Sequence, residues 1–417
     1  MPTQEEALSN LNLPQPIPSA YTVLADYYDA LERKGTSHPG FGLYPRDGSA
    51  EVADVESAIS EITIEGQERN VVVASGMAAV FGALTLGLKH QYDPKNSERP
   101  SIAYANELYS QSRGLIRDFR SYGSVTQGFD SERPEEIDGL FSGEAPTVIF
   151  AETVANSANT PVLNVPHLLA RLRDFDGHKP VVVLDNTLPL STGVDFDSLL
   201  KPDDPVIVVE SLTKGAMHNS GHLGVVYSPN EKLIEEFRRH KARIGSVTST
   251  GVDSAIFETI QAATPTYRRR NLSLFASAAA LHGALHEAQL EASEVLELND
   301  PGFNITGPTL PKHPNYAFAQ DTLPSGGSPV AWISDTTMDE VKARQRFEAI
   351  LSHPRVAEQM DDGQVFYGQS FGFDTARFLY DPGDPLQLRI AGGYAIDSFA
   401  LAEAIKEATL EAYIEAH

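Results

Sequence analysis

The feature that most constrains this chain is an alternation that starts near residue 70. Short β-branched runs at Val71–Ala74, Ser101–Ala105, Thr147–Glu152, Val181–Asp185, Val206–Glu210 and Leu223–Tyr227 are separated by helical segments at Met77–Lys89, Ser110–Tyr122, Pro166–Phe175 and Glu231–Ile244. Runs that are apolar at nearly every position need cover on both faces. Strands linked by helices place that cover above and below a mostly parallel sheet. The pattern predicts an α/β fold.

On either side the texture changes. Residues 1–65 are rich in Pro and Gly, with helical stretches around Tyr21–Arg33 and Ala50–Glu61, and read as an arm. Beyond about residue 250 a long Ala-rich helix (Asn271–Leu296) leads to a Pro/Gly-rich region, isolated strands, and helices at Met338–Leu351 and Ile396–Ala416. The expected organisation is an arm (1–65), a large α/β domain (66–255) and a smaller C-terminal α+β domain (256–417). A length of 417 residues suits more than one core.

Composition removes several classes of function. Lys plus Arg number 32 against 57 Asp plus Glu, a net charge of −25. Such a chain is poorly suited to nucleic acid or anionic membrane. The acidity fits either a well-solvated surface or adaptation to high salt. The absence of Cys excludes disulfides, thiolate metal sites and a Cys nucleophile. No apolar run approaches the roughly 18 residues of a membrane span. The first ten residues lack the basic and apolar regions of a secretory signal, so a cytoplasmic location is expected. His218 and His222 lack the Glu of a zinc helix, and no metal site is expected. Arg268-Arg269-Arg270 reads as a solvated helix start or a subunit contact, and Trp332 as core.

In open α/β sheets the chemistry lies beyond the carboxyl ends of the strands. Those positions hold Ser75-Gly76-Met77, Glu152 through Asn156, Asp185-Asn186-Thr187 and Ser211-Leu212-Thr213-Lys214. A Gly-containing turn opening a helix offers N–H groups to a phosphate, or is simply a tight turn. A Lys at the inner end of a strand loses solvation, which lowers its pKa and makes it a nucleophilic amine. It can also be structural, and Asp185 can be a loop cap. Phosphate turn, Asp and reactive Lys together are what pyridoxal phosphate needs.

The ordered motifs resemble those of the Cys/Met-metabolism (trans-sulfuration) family of pyridoxal-phosphate enzymes, from about Gly40 to Tyr394. The family includes cystathionine γ-synthase, cystathionine lyases, methionine γ-lyase and homoserine sulfhydrylases. The resemblance implies the aspartate-aminotransferase fold (fold type I), with a mostly parallel seven-stranded sheet. It makes Lys214 the internal-aldimine lysine, Ser211 and Thr213 phosphate-contacting hydroxyls, Asp185 the pyridinium partner and Ser75-Gly76-Met77 the phosphate turn. Tyr109 matches the tyrosine of Leu-Tyr-Gly-Gly-Thr, which stacks on the cofactor and serves in proton transfer. Asn156 matches the last Asn of Glu-Thr-Pro-Ala-Asn, near the cofactor hydroxyl and the substrate. Tyr44 and Arg46 match a Tyr-x-Arg that reaches the phosphate of a neighbouring subunit, which implies an obligate dimer of shared sites or a tetramer. Arg389 resembles the clamp on the substrate α-carboxylate, with Ser370 beside it.

The departures are Ser49-Ala50-Glu51 for Asn-Pro-Thr, Val154 for Pro, Gly215 for the Tyr after the Lys, and Gly224 for the Asp of Gly-His-x-Asp. The Arg-Gly-Leu-Lys-Thr-Leu and His-Pro-x-x-x-Thr-His segments of the family are not recognisable. These changes surround the substrate side. The implied activity is a lyase or γ-replacement transferase on a sulfur- or oxygen-substituted amino acid. Another β/γ-elimination, an aminotransferase, or a non-catalytic relic are the alternatives.

Overall fold

The computed structural model describes residues 50–90, 99–217, 222–244, 250–363, 365–368, 371, 375–381, 386–394 and 396–414. Among them, β1 (Asn70–Val73), β2 (Ser101–Ala105), β3 (Val125–Phe129), β4 (Val148–Glu152), β5 (Val181–Asp185), β6 (Val206–Ser211) and β7 (Gly224–Tyr227) form one sheet. Its order is β1-β7-β6-β5-β4-β2-β3. Strands β6, β5, β4, β2 and β3 run parallel, while β7 is antiparallel to both neighbours. The sheet is mostly parallel, as expected, with β7 as the antiparallel strand.

The central strands follow directly from their sequences. Every residue of β4 (VIFAE) and β5 (VVVLD) is buried, as a sheet covered on both faces requires. Strand β3 was not expected from the sequence: VTQGF is exposed at three of its five positions, because it is an edge. The principal helices of this half are α1 (Ala50–Ser60), α2 (Gly76–His90), α3 (Ser110–Ser121), α4 (Val165–Asp174) and α5 (Glu231–Ile244). Asn164 caps α4 by accepting the His167 N–H at 3.0 Å.

The long helix α6 spans Thr250–Leu296, starting 21 residues before the expected Asn271 and running through Pro265. Two cores lie along it in sequence. Ile260, Tyr267 and Leu274 join the core around the seven-stranded sheet. Leu281, Leu285, Ala288 and Ala292 join a second core. That core covers a smaller sheet of order β10-β11-β12-β9-β8, built from β8 (Phe303–Ile305), β9 (Val330–Asp335), β10 (Val365–Tyr367), β11 (Ala376–Asp381) and β12 (Gln387–Ala391). Helices α7 (Glu340–Ser352) and α8 (Ser398–Ile414) pack over it. A buried cluster pins α7 and α8 to β9. Arg346 and the Tyr413 hydroxyl each donate to Asp335 Oδ2 at 3.0 Å, and the guanidinium lies 4.8 Å from the Tyr413 ring centroid.

Candidate active site

The strand ends converge as the α/β argument requires. Ser75, Gly76, Met77, Tyr109, Glu152, Asn156, Asp185, Ser211, Thr213, Lys214 and Arg389 line a single cavity of about 460 Å³. A larger cavity, about 980 Å³, opens at the amino ends of β2, β3 and β4 and contains none of these groups. Tyr44, Arg46 and Ser370 lie outside the described residues.

The turn between β1 and α2 has the geometry to receive an anion. Ser75 caps α2 by accepting the Ala78 N–H at 3.1 Å. The N–H groups of Gly76 and Met77 belong to the first turn, where no intrahelical acceptor exists and the helix dipole is positive. Two close approaches fix this turn. A Cβ on Gly76 would lie 2.6 Å from Ser211 Cβ, and one on Gly224 would lie 2.3 Å from the Ser75 carbonyl oxygen. Ser211 and Thr213 line the same cavity, at the end of β6 and in the turn after it, and the Thr213 hydroxyl accepts the Leu223 N–H at 3.1 Å.

Asp185 ends β5. Its Oδ1 accepts the Thr187 N–H at 2.9 Å, and Thr187 Oγ1 in turn accepts the Ser211 N–H at 2.9 Å. Burial pushes the Asp185 carboxyl up. Register places Glu152, the last residue of β4, directly beside it. Burial, reinforced by the Asp185 charge, pushes Glu152 up to about 8. Glu152 accepts the backbone N–H of Tyr109 through Oε1 and of Asn156 through Oε2, so one carboxyl holds two loops of the site. Sequence reasoning did not assign Glu152. Its signal was a carboxylate ending a wholly apolar strand next to Asp185's strand. Gln111, Thr187, Leu188, His222 and Phe371 are further cavity residues that were not expected.

Lys214 sits in the turn after β6, half-buried, with its Nζ 6.0 Å from the Phe371 ring centroid. Burial lowers its pKa, and the charge of Arg389 lowers it further. Arg389 comes from the middle of β12 and is 4% exposed. It donates to Asn156 Oδ1 at 3.3 Å, and its guanidinium lies 5.8 Å from the Trp332 ring centroid. Trp332 is buried, as expected. Arg268 and Arg269 are exposed, but Arg270 is 2% exposed, so the basic run is not a uniformly solvated one.

These groups fit pyridoxal phosphate: an anion turn without room for side chains, a buried carboxylate for a ring nitrogen, and an amine of lowered pKa. A family model described as Cys/Met metabolism PLP-dependent enzyme matches residues 4–264. The chain belongs to this family. It is therefore an enzyme whose cofactor is pyridoxal 5'-phosphate and whose substrate is an amino acid, a small molecule. Solved structures share the fold. The metB protein of Corynebacterium glutamicum superposes with a TM-score of 0.64 at 16% identity, over 89% of this chain and 88% of that one. CalE6, a methionine γ-lyase from Micromonospora echinospora, gives 0.66 at 18% identity, over 88% of each chain. A Campylobacter jejuni protein described as an O-acetylhomoserine (thiol)-lyase, which carries pyridoxyl-lysine monophosphate, gives 0.66 at 14% identity, over 92% and 91%. No curated protein matches the sequence. Among the described residues no helix is long and apolar enough to cross a membrane.

Proposed function

We propose that this enzyme is a trans-sulfuration-type lyase or γ-replacement transferase acting on a sulfur- or oxygen-substituted L-amino acid. The observation that carries the reading is the meeting of Lys214, Asp185, Tyr109, Arg389 and the Ser75–Met77 turn in one cavity. The similar structures include a methionine γ-lyase and a protein described as an O-acetylhomoserine lyase, which supports chemistry beyond Cα.

When bound, pyridoxal phosphate supplies an electron sink for charge developing on the substrate. The N–H groups of Gly76 and Met77 and the hydroxyls of Ser75, Ser211 and Thr213 would hold its phosphate. Asp185 faces the ring nitrogen, and a cation there favours the ionised carboxyl against the burial that otherwise raises its pKa. Tyr109 would supply a ring face, and Asn156 would pair with the cofactor hydroxyl. Lys214 would hold the cofactor through Nζ until the substrate's amine takes its place. Once released, its amine, of lowered pKa, is available to take a proton from Cα and to deliver one at Cβ. Tyr109 is the acid/base nearest the leaving group. Arg389, a planar two-pronged donor already fixed on Asn156, binds the α-carboxylate. Ser370 joins it, and Tyr44 and Arg46 reach the phosphate of a neighbouring subunit in a dimer of shared sites that assembles further into a tetramer. The arm (1–65), large domain (66–255) and C-terminal domain (256–417) are the units of this reading, and its setting is the cytoplasm.

The test is the visible absorption spectrum of the holoenzyme as amino acids are added singly: O-acetyl- and O-succinylhomoserine, cystathionine, methionine, cysteine and homocysteine. A band that shifts with one of them, with release of a keto acid or a replaced product, is expected. A band indifferent to all six would overturn the trans-sulfuration assignment.

A further inference from the structure

Lys214 lies in a turn, not in the sheet, so its aim depends on what grips that turn. Two side chains of the long helix α6 do so. Arg270 donates Nη1–H to the Gly215 carbonyl, immediately after Lys214, at 3.3 Å. Tyr267, one helical turn away on the same face, donates its hydroxyl to Glu210 Oε1 at 3.2 Å. Glu210 is held from its other side by the Ser191 hydroxyl at 2.6 Å. The two contacts therefore bracket the segment that carries Ser211, Thr213 and Lys214.

Shape supports the same assignment. The Tyr267 ring and hydroxyl stand 3.0 Å from where a Gly215 Cβ would be, so the ring fills the space beside the turn. Tyr267 and Arg270 are 3% and 2% exposed. Burying a guanidinium is costly unless its hydrogen bonds are met, and an apolar side chain could fill the same volume. The Arg270 guanidinium also lies 5.7 Å from the Tyr394 ring centroid, just past β12, the strand of Arg389. One side chain thus touches both the Lys214 turn and the segment behind the carboxylate clamp.

We propose that Tyr267 and Arg270 are positioning residues that aim Lys214 from the long helix and set its distance to Arg389. The inference rests on Lys214 as the cofactor-linking lysine. The test uses holoenzyme carrying Arg270→Met, Arg270→Lys or Tyr267→Phe, with Lys214→Ala alongside. It measures kcat and KM on the substrate found above, the pH midpoint of the visible band without substrate, cofactor content, and thermal midpoint.

Arg270→Met should lower kcat by about 10- to 100-fold, the range expected from misplacing a reacting group by up to about 1 Å, with KM changed much less. Its band midpoint should move, and Arg270→Lys should restore part of both. Tyr267→Phe keeps the ring and should lower kcat by only severalfold, again with a shifted midpoint. Wild-type kcat and midpoint in Arg270→Met would overturn the proposal. So would a kcat loss that merely follows cofactor content. If Arg270→Met fails to fold, Tyr267→Phe decides: an unmoved midpoint and kcat overturn the proposal. Lys214→Ala that keeps the covalent link and turnover would instead overturn the underlying reading, whatever the Arg270 variants do.

Discussion

Gly224→Ala tests the anion turn at its tightest point. The added Cβ would lie 2.3 Å from the Ser75 carbonyl oxygen, 2.5 Å from its carbon and 2.9 Å from the Gly76 nitrogen. All three are backbone atoms, so none can rotate away. Reaching even 3.0 Å from the oxygen needs a shift of 0.7 Å. Strand β7 is hydrogen-bonded on both sides, to β1 and to β6, so the Ser75–Gly76 turn is the part that yields. The fold should lose about 1–3 kcal/mol by overpacking. The larger effect should fall on the cofactor, because the displaced N–H groups are those proposed to hold its phosphate. One hydrogen bond to a charged group is worth about 1.5–3 kcal/mol, or roughly 10- to 150-fold in retention. The assay is titration of cofactor-free protein with pyridoxal phosphate, followed by the visible band. Gly283→Ala is the control, since a Cβ there meets nothing within 4 Å and replaces a helical Gly. Gly224→Ala that retains cofactor as tightly as Gly283→Ala would refute the phosphate assignment of this turn.

Lys214→Ala should abolish the covalent cofactor link, read by borohydride trapping and mass spectrometry, and nearly all turnover. Undiminished turnover would remove Lys214 from its role. Cofactor-free protein should lose stability as pH rises from about 6.5 to 8, measured by urea midpoints. Burial raises Glu132 and Glu210 to about 7 and Glu152 to about 8, so the unfolded chain ionises first and the native state is disfavoured on the way up. His282, held down to about 4 by burial, is neutral in that window and acts only below it, where falling pH destabilises the fold. Glu210→Gln should flatten the slope, and an unchanged slope would count against this account. Arg346→Ala leaves Asp335 buried without its cation and should cost about 3–5 kcal/mol, read as a lower denaturant midpoint. A change within experimental error would show that the Asp335 cluster is not stabilised in this way.

Legibility in the sequence followed burial. Strand β5, VVVLD, could be read alone because every position is covered, whereas β3 could not, because an exposed edge carrying Gln127 and Gly128 lacks a continuous apolar run. The start of α6 was hidden by Pro265, a helix breaker by local rules that the surrounding helix overrides. Lys214 and Asp185 stood out as charged groups at the ends of apolar strands. Glu152 ends such a strand too, but its meaning comes from the N–H groups of Tyr109 and Asn156 and from the Asp185 carboxyl, which only folding brings together. Arg389 was reached through family resemblance, since nothing local to LQLRI marks a clamp. Arg270 was misread because three consecutive arginines look alike in sequence, whereas helical geometry turns them to different sides and buries one.

The departures from the family motifs have a physical pattern. Gly215 stands where the family has Tyr, and Tyr267 from α6 occupies the space beside it. Gly224 stands where the family has Asp, and the Ser75 carbonyl fills its Cβ position. At both places, space given up by one residue is taken by a residue from another element, so the packing around the Lys214 turn and the anion turn is closed. Gln111 follows Tyr109 by two positions, where the family motif has Gly, and lines the same cavity as His222 and Phe371. Closed packing around the Lys214 turn and the anion turn, with one added polar group in the cavity, is what a family member would show if its cofactor chemistry were kept while its amino acid changed. Gln111→Gly should therefore alter the relative kcat/KM values across the amino-acid panel while leaving cofactor retention intact. Equal losses on every substrate, or a loss of cofactor, would assign Gln111 to the cofactor end instead.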